Sequence, residues 1–233
     1  MQKIDTFYVV DFDRCIGDIE ASFNIVKEAA HELSIVDRDI LLDMRKKTEA
    51  RGETFITFDH IKNHNSSADF KAIEELYLKK AKNNSDNLLE PGARRFLDYL
   101  KKTKRHFCIM SYGDKRWQMV KIKGARIGNV PIVIVQSSNK CDYIKQWFNQ
   151  FNKTYTIPGE FFSDNQAHVA EKIVLVDDKI TAFKNIPEGT SGYLVIGSSS
   201  AHTLSHLNEV PKSVKTVTRI DKIIEIEAKL NKT

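Results

Sequence analysis

Cysteine is scarce. The chain of 233 residues has three, Cys15, Cys108 and Cys141, an odd number without a CxxC pair. That excludes a disulfide framework and a zinc knuckle, and it fits a reducing compartment. Long apolar runs are also missing: the longest, such as 132–135 and 173–176, are four residues each, against about 20 for a membrane-spanning helix. No hydrophobic segment of signal-peptide type stands at the N-terminus, so the expectation is a cytoplasmic chain with no membrane partner. A dense tract of one charge sign is absent as well. Lys and Arg number 36 against 31 Asp and Glu, and the resulting net charge of +5 is interspersed along the chain. A basic balance of that kind suits phosphate-bearing ligands in general but argues against a nucleic-acid partner, which would need a continuous basic track. No internal repeat or low-complexity tail is visible.

The composition is that of an ordinary globular protein, with 41% hydrophobic and 29% charged residues. Residues 4–10 read as a strand, since apolar and β-branched side chains dominate up to the polar Asp11-Phe12-Asp13. Residues 107–110, 130–135, 173–176 and 193–196 have the same short, buried-strand character, and 214–217 reads as a last strand. Helical patterns separate several of them, which predicts an α/β fold with a parallel sheet and crossover helices. Between 18 and 87 the pattern changes: 19–33, 37–51 and 68–82 have helical apolar spacing and no strand is evident. This stretch reads as a helical insertion, with Gly17 near the outgoing hinge and the polar run 83–87 at the return. The expected domains are therefore a core of 1–17 and 88–233 and a helical cap of 18–87. Pro91-Gly92 opens a basic helix to about 102, and 220–230 reads as a C-terminal helix.

In an open parallel sheet, ligands gather beyond the carboxyl ends of the strands. Polar residues directly after apolar runs are therefore the candidates: Asp11 and Asp13, Ser111, the segment 136–140, and Asp177-Asp178. Two acids at one strand end and two at another form a like-charge cluster that a hard, oxygen-ligated cation would compensate. Magnesium suits such a cluster better than zinc, because these loops lack the histidine and cysteine ligands that zinc favours. Ser111 can donate to a phosphate oxygen, and Lys140 can neutralise charge as a phosphoryl group moves.

The order of these pieces is specific. Val9-Val10-Asp11-Phe12-Asp13-Arg14-Cys15 resembles motif I of the haloacid dehalogenase superfamily. Cys108-Ile109-Met110-Ser111 resembles its motif II, Lys140 at a helix start its motif III, and Ile173-Val174-Leu175-Val176-Asp177-Asp178 its motif IV. The resemblance implies a Rossmann-like core with a helical cap between motifs I and II, and Glu90-Pro91-Gly92-Ala93 looks like the return from that cap. It implies Asp11 as the nucleophile and Asp13 as general acid and base. Ser111 and Lys140 complete the catalytic set, and Phe12, Asp13, Ser111, Tyr112 and Lys140 hold the phosphate. Magnesium would be held by Asp11, the backbone carbonyl of Asp13 and Asp177, with Asp178 as a further ligand or outer acceptor. The implied activity is hydrolysis of a small phosphorylated metabolite through an aspartyl-phosphate; phosphotransfer to a sugar hydroxyl, or phosphate binding without turnover, are the other readings. Two departures stand out. Arg14-Cys15 occupy positions where Gly-Thr is commonest, and the interval from Lys140 to Asp177 is long, which leaves Lys145 and Lys172 as competitors of Lys140.

Other features have plainer readings. His60 and His64 are one helical turn apart, but Ile61 stands where an HExxH motif has glutamate, so they read as a surface pair. Cys15 lies beside the site, but no cysteine is followed by arginine at the spacing of a cysteine-dependent phosphatase loop, so Cys15 reads as a packing residue and not a nucleophile. Arg14, Arg45, Lys46, Lys47 and Arg51 could meet a second anionic group of a substrate, yet such runs usually form a solvated helix face. Trp117 and Trp147 read as packing anchors.

Overall fold

The computed structural model describes residues 1–197 and 207–230. These fall into two compact units: Met1–Ile16, Glu90–Tyr112 and Ile127–Thr233 form the first, Gly17–Leu89 and Gly113–Arg126 the second.

The first unit is built on a sheet. Strand β1 (Lys3–Val10) is at its centre. Its residues Phe7, Tyr8, Val9 and Val10 are all fully buried. An unbroken apolar run, with no polar alternation, is what a strand covered on both faces requires. Parallel neighbours flank it on each side. On one side lie β2 (His106–Tyr112) and then β3 (Ile132–Val135). On the other lie β6 (His168–Asp177), β7 (Thr190–Val195) and β8 (Val214–Val217). The chain thus moves outward from β1 in one direction and then returns to build outward in the other, which makes the gap between the ends of β1 and β6 a topological switch point.

The register across these strands sets the site. Val10 pairs with Ile109 of β2 and with Val176 of β6. The residues just beyond these three, Asp11, Met110-Ser111 and Asp177, therefore emerge at the same edge of the sheet. The ladder continues one step further, with the Asp11 amide donating to the Val176 carbonyl at 2.8 Å.

The long interval between Lys140 and Asp177 contains more than crossover helix α7 (Cys141–Trp147). A hairpin of β4 (Phe148–Asn149) and β5 (Thr154–Ile157) follows it, and β5 runs antiparallel to the first residues of β6. The sheet is thus parallel in its six main strands and extended by an antiparallel hairpin that the sequence pattern did not indicate. Phe7 anchors the core beneath this region, with its ring centroid 6.4 Å from Trp147, 5.9 Å from Phe161 and 5.8 Å from Phe162. On the sheet's helical layer, α5 (Ala93–Lys102) buries Ala93, Phe96, Leu97 and Leu100, and α8 (Lys222–Leu230) buries Ile223. Gly92, at the N-cap of α5, has φ 88°, and a Cβ there would lie 2.5 Å from Asp221 Cγ. Glycine alone meets both demands.

The second unit is helical. It contains α1 (Ile19–Glu32), α2 (Arg38–Ala50), α3 (Thr57–His64), α4 (Phe70–Ala81) and α6 (Lys115–Gly124). Four begin on an aspartate, Asp18, Asp37, Asp69 and Asp114, whose side chain accepts from an amide of the first turn. Such caps satisfy otherwise orphaned donors and favour the helix macrodipole. Helix α6 lies outside the stretch expected to be the insertion. Its basic sequence conceals an apolar face, and Trp117 packs at 5.2 Å against both Phe58 and Tyr77. Gly124 lets α6 approach Tyr77, since a Cβ there would sit 2.8 Å from the ring. The division between the two units on the return side falls between Leu89 and Glu90, after a short 3-10 turn (Ser85–Leu88).

Gly192 in β7 provides a test of the sheet packing. A Cβ there would meet Phe183 Cε1 at 2.5 Å and the Leu175 carbonyl oxygen at 2.9 Å. Gly192→Ala should therefore destabilise the chain by about 1–3 kcal/mol, read as a lower midpoint in urea. An unchanged midpoint would mean that β7 is not packed as described.

Candidate active site

Every residue that the sequence points to at the strand ends belongs to the first unit. Asp11 follows β1, Ser111 lies near the end of β2, and Asp177 ends β6, with Asp178 next to it. Asp11, Ser111, Lys140, Asp177 and Asp178 are all buried, whereas Asp13 is half-buried. Phe12 is buried beside them and Tyr112 is half-buried.

Lys140 is the pivot. It stands at the N-cap position of α7, where its carbonyl accepts from the Tyr143 and Ile144 amides at 3.0 and 3.1 Å. Cys141 and Ile144 bury the inner face of this helix, which aims Lys140 inward. Its ammonium donates to Asp11 Oδ1 and to Asp177 Oδ2, forming an ion pair with each. Lys145 lies on the outer face, half exposed, 3.8 Å from Asp142. Lys172 is exposed. Of the three lysines, Lys140 alone reaches the acids.

Four carboxylates meet one directly paired ammonium, with Lys179 and Arg14 adding longer-range attraction at Asp178. Burial pushes the Asp11 carboxyl well above the usual carboxylate range; Lys140 pulls it down, while Asp177, Asp178 and Asp13 push it further up. Asp178 is raised from 3.8 to about 7, first by burial and then by Asp177. For Lys140, burial alone would lower the pKa, but the charges of Asp11 and Asp177 outweigh it and hold the ammonium protonated. Asp177 spends its other oxygen on the Lys179 amide at 2.8 Å. Asp178 makes no hydrogen bond or ion pair among the described residues, although it is only 6% exposed. A buried carboxylate without a partner is costly. The donor set, all oxygen at Asp11, Asp13, Asp177 and Asp178, fits a hard divalent cation, which would supply the missing positive charge.

A second orphan is at Ser111. Its Oγ is fully buried and has no hydrogen-bond partner among the described residues. A buried hydroxyl without a protein partner keeps its donor free for another group.

The loop after Asp11 explains one departure of the sequence. The chain turns sharply, with the Ile16 amide donating to the Phe12 carbonyl at 2.9 Å, and Arg14 takes φ 61°. A left-handed conformation costs a residue with a Cβ roughly 1–2 kcal/mol, which is why glycine is favoured at this place in the resembling family. Cys15 follows, fully buried, and its Sγ lies within 4.8 Å of carboxylate oxygens of both Asp11 and Asp178. Cys15 was expected beside the site as a packing residue; the turn carries its thiol against the acids themselves.

Of the other candidates, Arg14 lies in the first unit and attracts Asp178, while Arg45, Lys46, Lys47, Arg51, His60 and His64 belong to the second unit. Arg45 pairs with Glu20 and Glu49 and lies 4.5 Å over the Phe23 ring. Lys47 pairs with Asp43 and Arg51 with Glu53. His60 contacts Thr48 Oγ1 at 3.1 Å and the Ile56 carbonyl at 2.9 Å, while His64 is exposed. Among the described residues no helix is long and apolar enough to cross a membrane.

No family model and no curated protein matches the sequence. Solved structures do match the fold. The chain is similar over 97% of its length to a protein from Burkholderia xenovorans described as a haloacid dehalogenase-like hydrolase, with 97% of that chain covered, 16% identity and a TM-score of 0.59. It is likewise similar over 97% of its length to a Thermotoga maritima protein described as a β-phosphoglucomutase, with 100% of that chain covered, 14% identity and a TM-score of 0.52. The L-2-haloacid dehalogenase of Xanthobacter autotrophicus matches over 97% of this chain and 99% of its own, at 12% identity and a TM-score of 0.52. The fold is that of the haloacid dehalogenase-like hydrolases, a Rossmann-like α/β core. As these neighbours carry different chemistries, the reaction has to be argued from the site.

The raised carboxyls give the cation-free protein a defined pH response. An acid whose folded pKa lies above its unfolded value binds a proton in the folded state where the unfolded chain has lost it. Folding stability therefore falls as pH rises through that interval, which for Asp178 runs from 3.8 to about 7. In the presence of chelator, the urea midpoint of the wild type measured against that of Asp178→Asn should decline from pH 4 to pH 7. A difference between the two that is flat or rises over this range would contradict the burial of the Asp178 carboxylate.

Proposed function

We propose that this chain is a magnesium-dependent phosphatase of the haloacid dehalogenase superfamily, which hydrolyses a small phosphorylated metabolite through an aspartyl-phosphate on Asp11. The observation that carries the reading is the Lys140 ammonium joined to both Asp11 and Asp177 at the switch point of the sheet, beside the unpaired Ser111 hydroxyl.

In this reading Asp11 attacks phosphorus with one carboxylate oxygen, in line with the departing ester oxygen. Asp13, half-buried and therefore open to solvent, gives a proton to that oxygen and then takes one from the water that cleaves the aspartyl-phosphate. Ser111 and Lys140 hold phosphoryl oxygens, with Phe12 and Tyr112 lining the same pocket. Asp11, the Asp13 carbonyl and Asp177, with Asp178 as further ligand or outer acceptor, would hold magnesium, which would supply positive charge at the transferring group.

The acid at position 13 favours phosphate chemistry over dehalogenation. A departing alkoxide needs a proton, whereas a departing halide does not. Burial of Asp11 serves the same end, since excluding water strengthens every charge interaction in the site. We assign the helical unit the role of the cap implied by the resemblance.

A screen of phosphorylated metabolites tests the proposal. Phosphate release should require magnesium, stop with chelator, and fall at least ~10³-fold in Asp11→Asn. Ser111→Ala should cost roughly 10–100-fold, as expected when one donor to a phosphoryl oxygen is lost. Undiminished turnover in Asp11→Asn would remove the nucleophile assignment, and isomerised substrate without free phosphate would move the reaction to phosphotransfer.

A further inference from the structure

Magnesium does not exhaust what the acidic cluster can hold. Asp11, Cys15 and Asp178 bring one ligand atom each, two carboxylate oxygens and a sulfur, to within 4.8 Å of one another, and all three residues are buried. Among the described residues this is the one group of three or more His, Cys, Asp or Glu side chains with such mutual proximity. A second observation points the same way. The Asp178 carboxylate is only 6% exposed and, among the described residues, makes no hydrogen bond or close ion pair, being drawn only at longer range by Lys179, Lys140 and Arg14, so it has no direct bond to give up on turning toward a cation.

A thiol is a poor ligand for magnesium, which takes oxygen donors in octahedral geometry. It is a good ligand for zinc, cobalt and cadmium, which accept mixed sulfur and oxygen sets. Zinc bonds of about 2.3 Å to sulfur and about 2.0–2.2 Å to oxygen would draw the three atoms together by on the order of an ångström. That movement is within reach of carboxylate rotation.

We propose that Cys15, Asp11 and Asp178 form a site for a thiophilic divalent cation, of the zinc, cobalt or cadmium type, with Cys15 Sγ as a direct ligand. The proposal rests on the reading of the acidic cluster as a cation site and adds to it a ligand that makes the choice of cation different. Binding releases the thiol proton to solvent and leaves a metal-bound thiolate. Because Asp11 belongs to both sets, a thiophilic ion and magnesium compete, and zinc inhibits the magnesium-dependent reaction. Cys108 and Cys141 are buried too, but neither belongs to the cluster.

The experiment is a cobalt titration of the full-length, chelator-stripped protein, followed by sulfur-to-cobalt charge-transfer absorption. Wild type and the Cys108→Ala variant should both develop the band to an end point of one cobalt per chain. Cys15→Thr should show none, and its zinc affinity should fall at least ~10-fold while manganese binding, measured calorimetrically, persists. A wild-type chain without the band, or a band that survives Cys15→Thr or vanishes in Cys108→Ala, overturns the proposal. The manganese arm separates the two layers. If manganese binds while the band is absent, only the part given to Cys15 falls. If manganese also fails to bind, the cation reading of the acidic cluster falls with it.

Discussion

The double ion pair from Lys140 to Asp11 and Asp177 is the interaction on which the site depends. Two parallel strands side by side deliver carboxylates to one place, and in a buried environment those charges would repel each other and lose their hydration. A single ammonium from a third element holds them together. For Lys140 to arrive there, β3 must pair with β2, the 136–140 loop must turn back, and α7 must dock through Cys141 and Ile144. The loop is tied to its helix, since the Gln136 amide donates to the Tyr143 hydroxyl at 3.0 Å. The topology of one half of the sheet is thus committed to placing one side chain.

Charge remains unbalanced even so. Among the described residues Asp178 makes no direct hydrogen bond or ion pair, Lys179 and Arg14 attract it only at longer range, and Asp13 adds its own repulsion at Asp11, so acid charge outweighs the paired ammonium close to Asp11. This imbalance links stability to function. In the proposed reading a cation and a phosphoryl group, one positive and one negative, would complete the arrangement, and the same imbalance would favour the soft ion proposed at the thiol beside these acids.

Much of this was legible in the sequence, and the reasons are physical. A central parallel strand must be apolar on both faces, so 4–10 and 173–176 announce themselves, and the polar residue after each is fixed to the ligand-binding edge by register. Asp11, Ser111 and Asp177 were found in that way, and Lys140 entered as one of three lysines that only the packing of α7 could separate. What escaped notice lacked periodicity. Strand β4 is two residues long, the first residues of β6 are interrupted by Glu171 and Lys172, and α6 disguises its apolar face of Trp117, Val120 and Ile122 among five basic residues from Lys115 to Arg126. The position of Cys15 depends on a left-handed turn at Arg14, a conformation that an arginine codon does not advertise.

The central claim is that Asp11 takes the phosphoryl group, and the direct measurement is chemical. Brief incubation with a turned-over phosphate ester, followed by acid quenching and peptide mapping by mass spectrometry, should place a phosphoryl group on the Asp11 carboxylate, labile to hydroxylamine. Phosphate release with no covalent label at Asp11, or with the label on Ser111 or Cys15, would contradict the account.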